Sequence, residues 1–64
     1  MKPHQERVVT ERAELLDKLS KLRTFFTSNV FDELPDAECS RLKRQAAVMA
    51  EYISILDERI AAFV

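Results

Sequence analysis

Two apolar heptad seams, one in each half of the chain, restrict this sequence more than any other feature. In the first half Val8, Leu15, Leu19, Leu22 and Phe26 follow three- and four-residue steps, broken only where Arg12 takes a seam position. In the second half Leu42, Ala46, Met49, Ile53, Leu56, Ile60 and Phe63 keep that spacing unbroken. Such a period belongs to an α-helix, so the chain is expected to form two helices packed seam to seam. A further stripe runs beside each seam, Val9, Ala13 and Leu16 in the first helix and Val48, Tyr52 and Ile55 in the second. Each apolar face is therefore wider than a two-helix seam needs, and the hairpin is expected to assemble with copies of itself.

Length leads to the same expectation. A 64-residue chain buries only about 60% of its unfolded surface, and two helices side by side cannot close a core. One domain, spanning residues 1–64, is all there is room for. The fold class expected is all-α: an antiparallel helical hairpin with a short helical turn in its connection, assembling into a homo-oligomer. The first helix should begin just after Pro3, which suits an opening turn because it lacks an amide hydrogen, and run to about Phe26. Thr27, Ser28 and Asn29 stop it. Ser28 can cap a short turn through Val30, Phe31 and Leu34, with Phe31 and Leu34 plugging the hairpin's end. Pro35 should open the second helix, which runs to about Phe63, with Asp36 and Glu38 at its positive amino end.

Composition removes several function classes. The chain has no glycine, the residue that tight phosphate-cradling loops require, so P-loop and dinucleotide-fold chemistry is excluded. Ten basic and eleven acidic side chains leave a formal charge of −1, which disfavours duplex nucleic acid as a partner. A small anionic ligand remains compatible with that balance, because assembly around an axis can gather a few cations. The longest uncharged run, Thr24 to Phe31, is too short to span a bilayer, and no leader-like segment opens the chain. A cytosolic, non-membrane protein is expected. Cys39 is the one cysteine and His4 the one histidine, so neither a disulfide nor a zinc set is available, and no metal or cofactor is expected. Cys39 reads as a small, partly packed helix residue. No catalytic residue is assigned, since an enzyme would need an acid–base pair or a metal set in a cleft.

Some polar residues stand out by position. Arg59 continues the Val48, Tyr52, Ile55 stripe by one further step, so a face expected to lie between subunits ends in a guanidinium. Its partner is either Glu58 or Glu51 of another subunit or a ligand phosphate, whose oxygens suit the guanidinium fork. Lys18 follows Glu14 by four residues, the spacing of an ordinary surface ion pair. Arg12 and Arg7 read as stem-packing or ion-pair residues. Tyr52 is expected to pack an interface with its hydroxyl at the edge. Taken alone, these features favour an interaction or adaptor protein, since wide apolar faces need only association.

Across nearly the whole chain the residues resemble a known family. His4, Gln5, Glu6, Arg7, Val8 and Val9, then Glu11, Glu14, Leu15, Lys18, Leu19, Lys21, Leu22 and Phe25 look like the hairpin domain of phage-encoded cyclic-oligonucleotide sponges. In the second half Phe31, Leu34, Pro35, Glu38, Leu42, Arg44, Gln45, Met49, Tyr52, Ile55, Leu56, Arg59, Ile60 and Ala61 agree with the same family. That family comprises the second anti-CBASS protein of phages, with a related hairpin in a Thoeris anti-defence protein. The resemblance implies a compact homohexamer without enzymatic activity, working in the cytoplasm of an infected bacterium. Such proteins bind cyclic dinucleotides, cGAMP-like molecules above all, between protomers, and many bind cyclic trinucleotides at separate sites on the threefold axis. They hold the second messenger intact and keep the CBASS effector from being activated.

Carried over residue by residue, the resemblance assigns the cyclic dinucleotide site to Pro3, His4, Lys18 and Ser20, and the cyclic trinucleotide site to Arg59. Lys18 takes the place of the family's phosphate-contacting lysine, and Ser20 lies near enough to donate to phosphate or sugar. Pro3 stands where family members place a base-stacking aromatic ring, which leaves His4 as the nearest flat ring.

Overall fold

A computed structural model describes residues 1–64, all of the chain, as two long helices and one short one. Helix α1 spans Pro3–Phe25, α2 Asn29–Asp32 and α3 Asp36–Ala61. α1 and α3 pack antiparallel into a rod of 47 × 14 × 13 Å. A rod two helices wide has little interior, and only 7 of the 64 residues are buried. The hydrophobic seam is narrow for that reason.

The reversal uses no glycine and no positive φ. Ser28 carries it: its hydroxyl donates to the Phe25 carbonyl at 2.7 Å and accepts from the Phe31 amide at 3.2 Å, which caps α2. Phe31 is thereby driven into the end of the seam. Its ring meets Phe25 edge-on at 5.9 Å and Phe26 at 5.0 Å, and the Lys43 ammonium sits 5.7 Å above it. Cys39 is half-buried behind this plug, its thiol 3.5 Å from the Phe31 carbonyl. Pro35 precedes α3 as its cap, and Asp36 and Glu38 occupy the negatively charged first turn.

Leu19, Ala46 and Ile53 form the central cluster, with Leu15, Leu22, Phe26, Met49 and Ala50 packed against it, and Val8 and Leu56 extend burial toward the open end. Arg12 breaks the seam without being stranded, because it pairs with Asp57 of α3. Both helices stop short of the expected ends. α1 closes at Phe25 and α3 at Ala61, where the Ala62 amide is shared between the Glu58 and Arg59 carbonyls in a tightened last turn.

At the open end Gln5 is the single buried polar residue. Its Oε1 accepts from the Lys2 amide at 3.0 Å, half of a capping box. Its Nε2 donates to the Val64 carbonyl at 3.4 Å, tying the two chain ends together.

Candidate functional site

Three cross-hairpin contacts fix which side chains share a face. Arg12 with Asp57, and Gln5 with Val64, lie on one side of the seam. The Tyr52 hydroxyl donates to the Glu11 carboxylate on the other. Residues three or four apart stay on one side of a helix, so the rest follows from spacing. The Arg12 face carries Val9, Ala13, Leu16, Ser20 and Arg23 of α1 beside Lys43, Ala47, Ala50, Ser54, Asp57 and Ala61 of α3. The Tyr52 face carries Arg7, Glu11, Glu14 and Lys18 of α1 beside Arg41, Gln45, Val48, Tyr52, Ile55 and Arg59 of α3.

The two surplus stripes expected from the sequence thus lie on opposite faces, and both stand in solvent. Val9 and Leu16 are exposed on one face; on the other Val48 is 62% exposed, Ile55 47% and Tyr52 41%.

Charge is distributed unevenly between the faces. On the Arg12 face the guanidinium of Arg12 is raised above its ordinary value, first by the hydrogen bond to Asp57 and then by that residue's charge. On the Tyr52 face Arg41 pairs with Glu38 at 2.9 Å. Arg7, Lys18 and Arg59 there have no acidic partner, although each is exposed. The expected Glu14–Lys18 pair does not form; the i,i+4 pair on α1 is Asp17 with Lys21, at 2.9 Å. Exposed pairs of either kind are weak, so spacing alone does not choose between them.

The five residues assigned to ligand are all exposed. Pro3 and His4 form the first turn of α1, so His4 is a helix residue and not part of a loose tail. Lys18 lies fourteen residues further along, about 21 Å at the helical rise. One cyclic dinucleotide on one chain does not bridge that gap. Lys18 and Ser20, two residues apart, face different sides. Ser20 lies in a shallow groove on the Arg12 face with Leu16, Arg23, Thr24 and Thr27. There the Thr24 hydroxyl donates to the Ser20 carbonyl and the Thr27 hydroxyl to the Thr24 carbonyl, which leaves the Ser20 hydroxyl and Arg23 free toward solvent. Arg59 sits at the open end, level with the start of α1. Within one chain the five residues form two separated groups, Pro3, His4 and Arg59 at the open end and Lys18 and Ser20 midway. No three His, Cys, Asp or Glu side chains converge as a metal site would require.

Two residues outside the expected site make contacts across the hairpin. Glu11 and Asp57 carry the cross-hairpin pairings, and their signal was present: an arginine in a seam position requires an acid opposite, and a lone tyrosine on a polar-edged stripe requires an acceptor.

Residues 2–62 match the family model Sequestin. The chain belongs to the Sequestin family. No curated protein and no solved structure matches it. The Sequestin name denotes sequestration, compatible with a protein that binds a small ligand and holds it. No helix of this Sequestin hairpin is long and apolar enough to cross a membrane.

Proposed function

We propose that this protein is a phage anti-defence sponge that binds cyclic oligonucleotide second messengers and holds them without cleaving them. By lowering the free messenger in the cytoplasm of the infected bacterium, it keeps the CBASS effector inactive. The observation that carries this reading is the Tyr52 face, where Lys18 and Arg59 stand exposed and unpaired in a chain of the Sequestin family. An acidic ligand supplies the partner that Lys18 and Arg59 lack within the chain.

Assembly into a homohexamer follows the same logic. Apolar residues exposed on opposite faces give each hairpin two separate contact surfaces, whereas a simple dimer uses one. Sites between protomers also resolve the separation of His4 from Lys18, because neighbouring chains can bring together residues about 21 Å apart on one chain. Pro3, His4, Lys18 and Ser20 serve the cyclic dinucleotides and Arg59 the cyclic trinucleotides.

The test is thermal unfolding with and without 3′,3′-cGAMP and a cyclic triadenylate, followed by recovery of the ligand. Binding to the folded state raises the midpoint with ligand concentration. A raised midpoint with ligand recovered unchanged supports the sponge. Ligand converted to a linear product points to an enzyme, and no shift with either ligand leaves a helical adaptor.

A further inference from the structure

We propose that Tyr52 is a base-stacking residue for the cyclic oligonucleotide, with Glu11 as its positioning residue and Arg7 as a second phosphate-binding cation beside Arg59. The proposal rests on the sponge reading above and adds residues which that reading leaves unassigned. Pro3 offers no aromatic ring, and His4 lies in the first turn of α1. Among the phenylalanines, Phe31 is buried and Phe25, Phe26 and Phe63 are half-buried. Tyr52, at 41% exposure, is the most open aromatic ring on the long helices apart from His4.

Its setting is that of a ring held for use. The hydroxyl is anchored across the hairpin by the Glu11 carboxylate, which limits rotation of the side chain. Val48 and Ile55, one turn away on either side, extend the ring into an apolar strip. Unpaired cations stand at both ends: Lys18 toward the hairpin's turn, and Arg59 toward the open end, about 10 Å along α3 from the ring. Arg7 lies one turn before Glu11 on α1, level with Arg59 across the hairpin, so two guanidiniums share one end of the face and neither is ion-paired. A flat apolar strip between cations matches a nucleobase flanked by phosphodiesters, because stacking uses the ring and the phosphates neutralise the charge. The Arg12 face has no such combination. Its large cations are Arg12, already paired, Arg23, and Lys43 over Phe31, and it carries no exposed ring.

Tyr52 is the only tyrosine and the chain has no tryptophan, so intrinsic emission reports this ring alone. Titration of the full chain with cyclic triadenylate and with 3′,3′-cGAMP, followed both by heat and by tyrosine emission, tests the proposal. Free tyrosine amide at the same ligand absorbance serves as the reference. The expected result is quenching that saturates together with the heat. Tyr52→Leu should lose about tenfold or more in affinity, and Tyr52→Phe, which keeps the ring but not its anchor on Glu11, should lose only the smaller amount that Glu11→Gln loses. Arg7→Ala should weaken binding in a way that high salt masks. Glu11→Gln should brighten the tyrosine emission before any ligand is added, because a carboxylate bonded to the hydroxyl quenches it, and should lower affinity more than it lowers the thermal midpoint of the free protein; a purely structural residue would move the midpoint and leave the affinity of the folded protein unchanged. Saturating heat with emission unchanged, or full affinity in Tyr52→Leu, overturns the proposal and leaves the sponge intact. Loss of affinity in Tyr52→Leu that only follows a loss of assembly makes the ring a subunit contact and also overturns it. No heat and no quenching with either ligand removes the sponge reading and this proposal together.

Discussion

The face bearing Arg12 and the face bearing Tyr52 lie back to back on one pair of helices, and they differ in what they leave unsatisfied. On the first, the conspicuous cation is paired within the chain by Asp57, and the surface between Val9 and Leu16 and between Ala47 and Ala61 is made of small or aliphatic side chains. Such a surface asks for close contact with another protein surface. On the second, the acid Glu11 is spent on Tyr52, while Arg7, Lys18 and Arg59 are left without acids. That surface asks for an anion. Overall charge does not show this: a chain with net −1 still carries three cations without acidic partners on the Tyr52 face, beside Arg23 and Lys43 on the Arg12 face.

Four substitutions break or sharpen this comparison. The largest effect is expected at Leu56, fully buried in the seam that holds the faces back to back. Leu56→Ala should cost about 2 to 5 kcal/mol, read in urea unfolding, and weaken assembly and ligand binding together. Leu16→Glu, on the exposed part of the Arg12 face, should leave helicity intact by circular dichroism and lower the mass in solution, since a charge is introduced where a neighbour is to pack. Lys18→Ala, on the Tyr52 face, should do the reverse. The mass should be kept and cyclic dinucleotide affinity should fall about tenfold or more, the effect of losing one charge-assisted phosphate contact.

The smallest effect is expected at the cross-hairpin ion pair. Arg12→Gln should lower the thermal midpoint slightly, less so in high salt, with neither face altered. The pair raises the guanidinium above its ordinary value. A raised value contributes stability that is complete below the unfolded value and lost only as pH climbs through the folded one. The loss in Arg12→Gln should therefore be constant from pH 6 to 9, read as the difference in midpoint between variant and parent.

Much of this fold was legible in the sequence because it depends on local rules. The heptad seams gave the two long helices, Ser28 the cap of the short one, and Pro35 the start of α3, each from spacing or from one residue's chemistry. The exposure of the surplus stripes was legible for the same reason. Their placement on opposite faces was not, since it depends on the relative rotation of two antiparallel helices, which a stripe on either helix alone does not specify. Asp57 escaped notice because a seam fixes pairing only to within a turn, and the partner of Arg12 needs the register. Gln5 escaped because a polar residue near a chain end reads as solvated until the other chain end is seen to cover it. The site residues were legible as positions but not as a constellation: the rod separates Pro3, His4 and Arg59 from Lys18 and Ser20.

The most direct measurement is isothermal titration of the protein with cyclic triadenylate and 3′,3′-cGAMP, with the mass of the same sample taken by light scattering. The account predicts saturable heat for at least one ligand, fewer ligands than chains at saturation, and a mass near six chains. Saturable heat at one ligand per chain from a monomer would contradict sites shared between protomers. No heat with either ligand would contradict sequestration of cyclic oligonucleotides altogether.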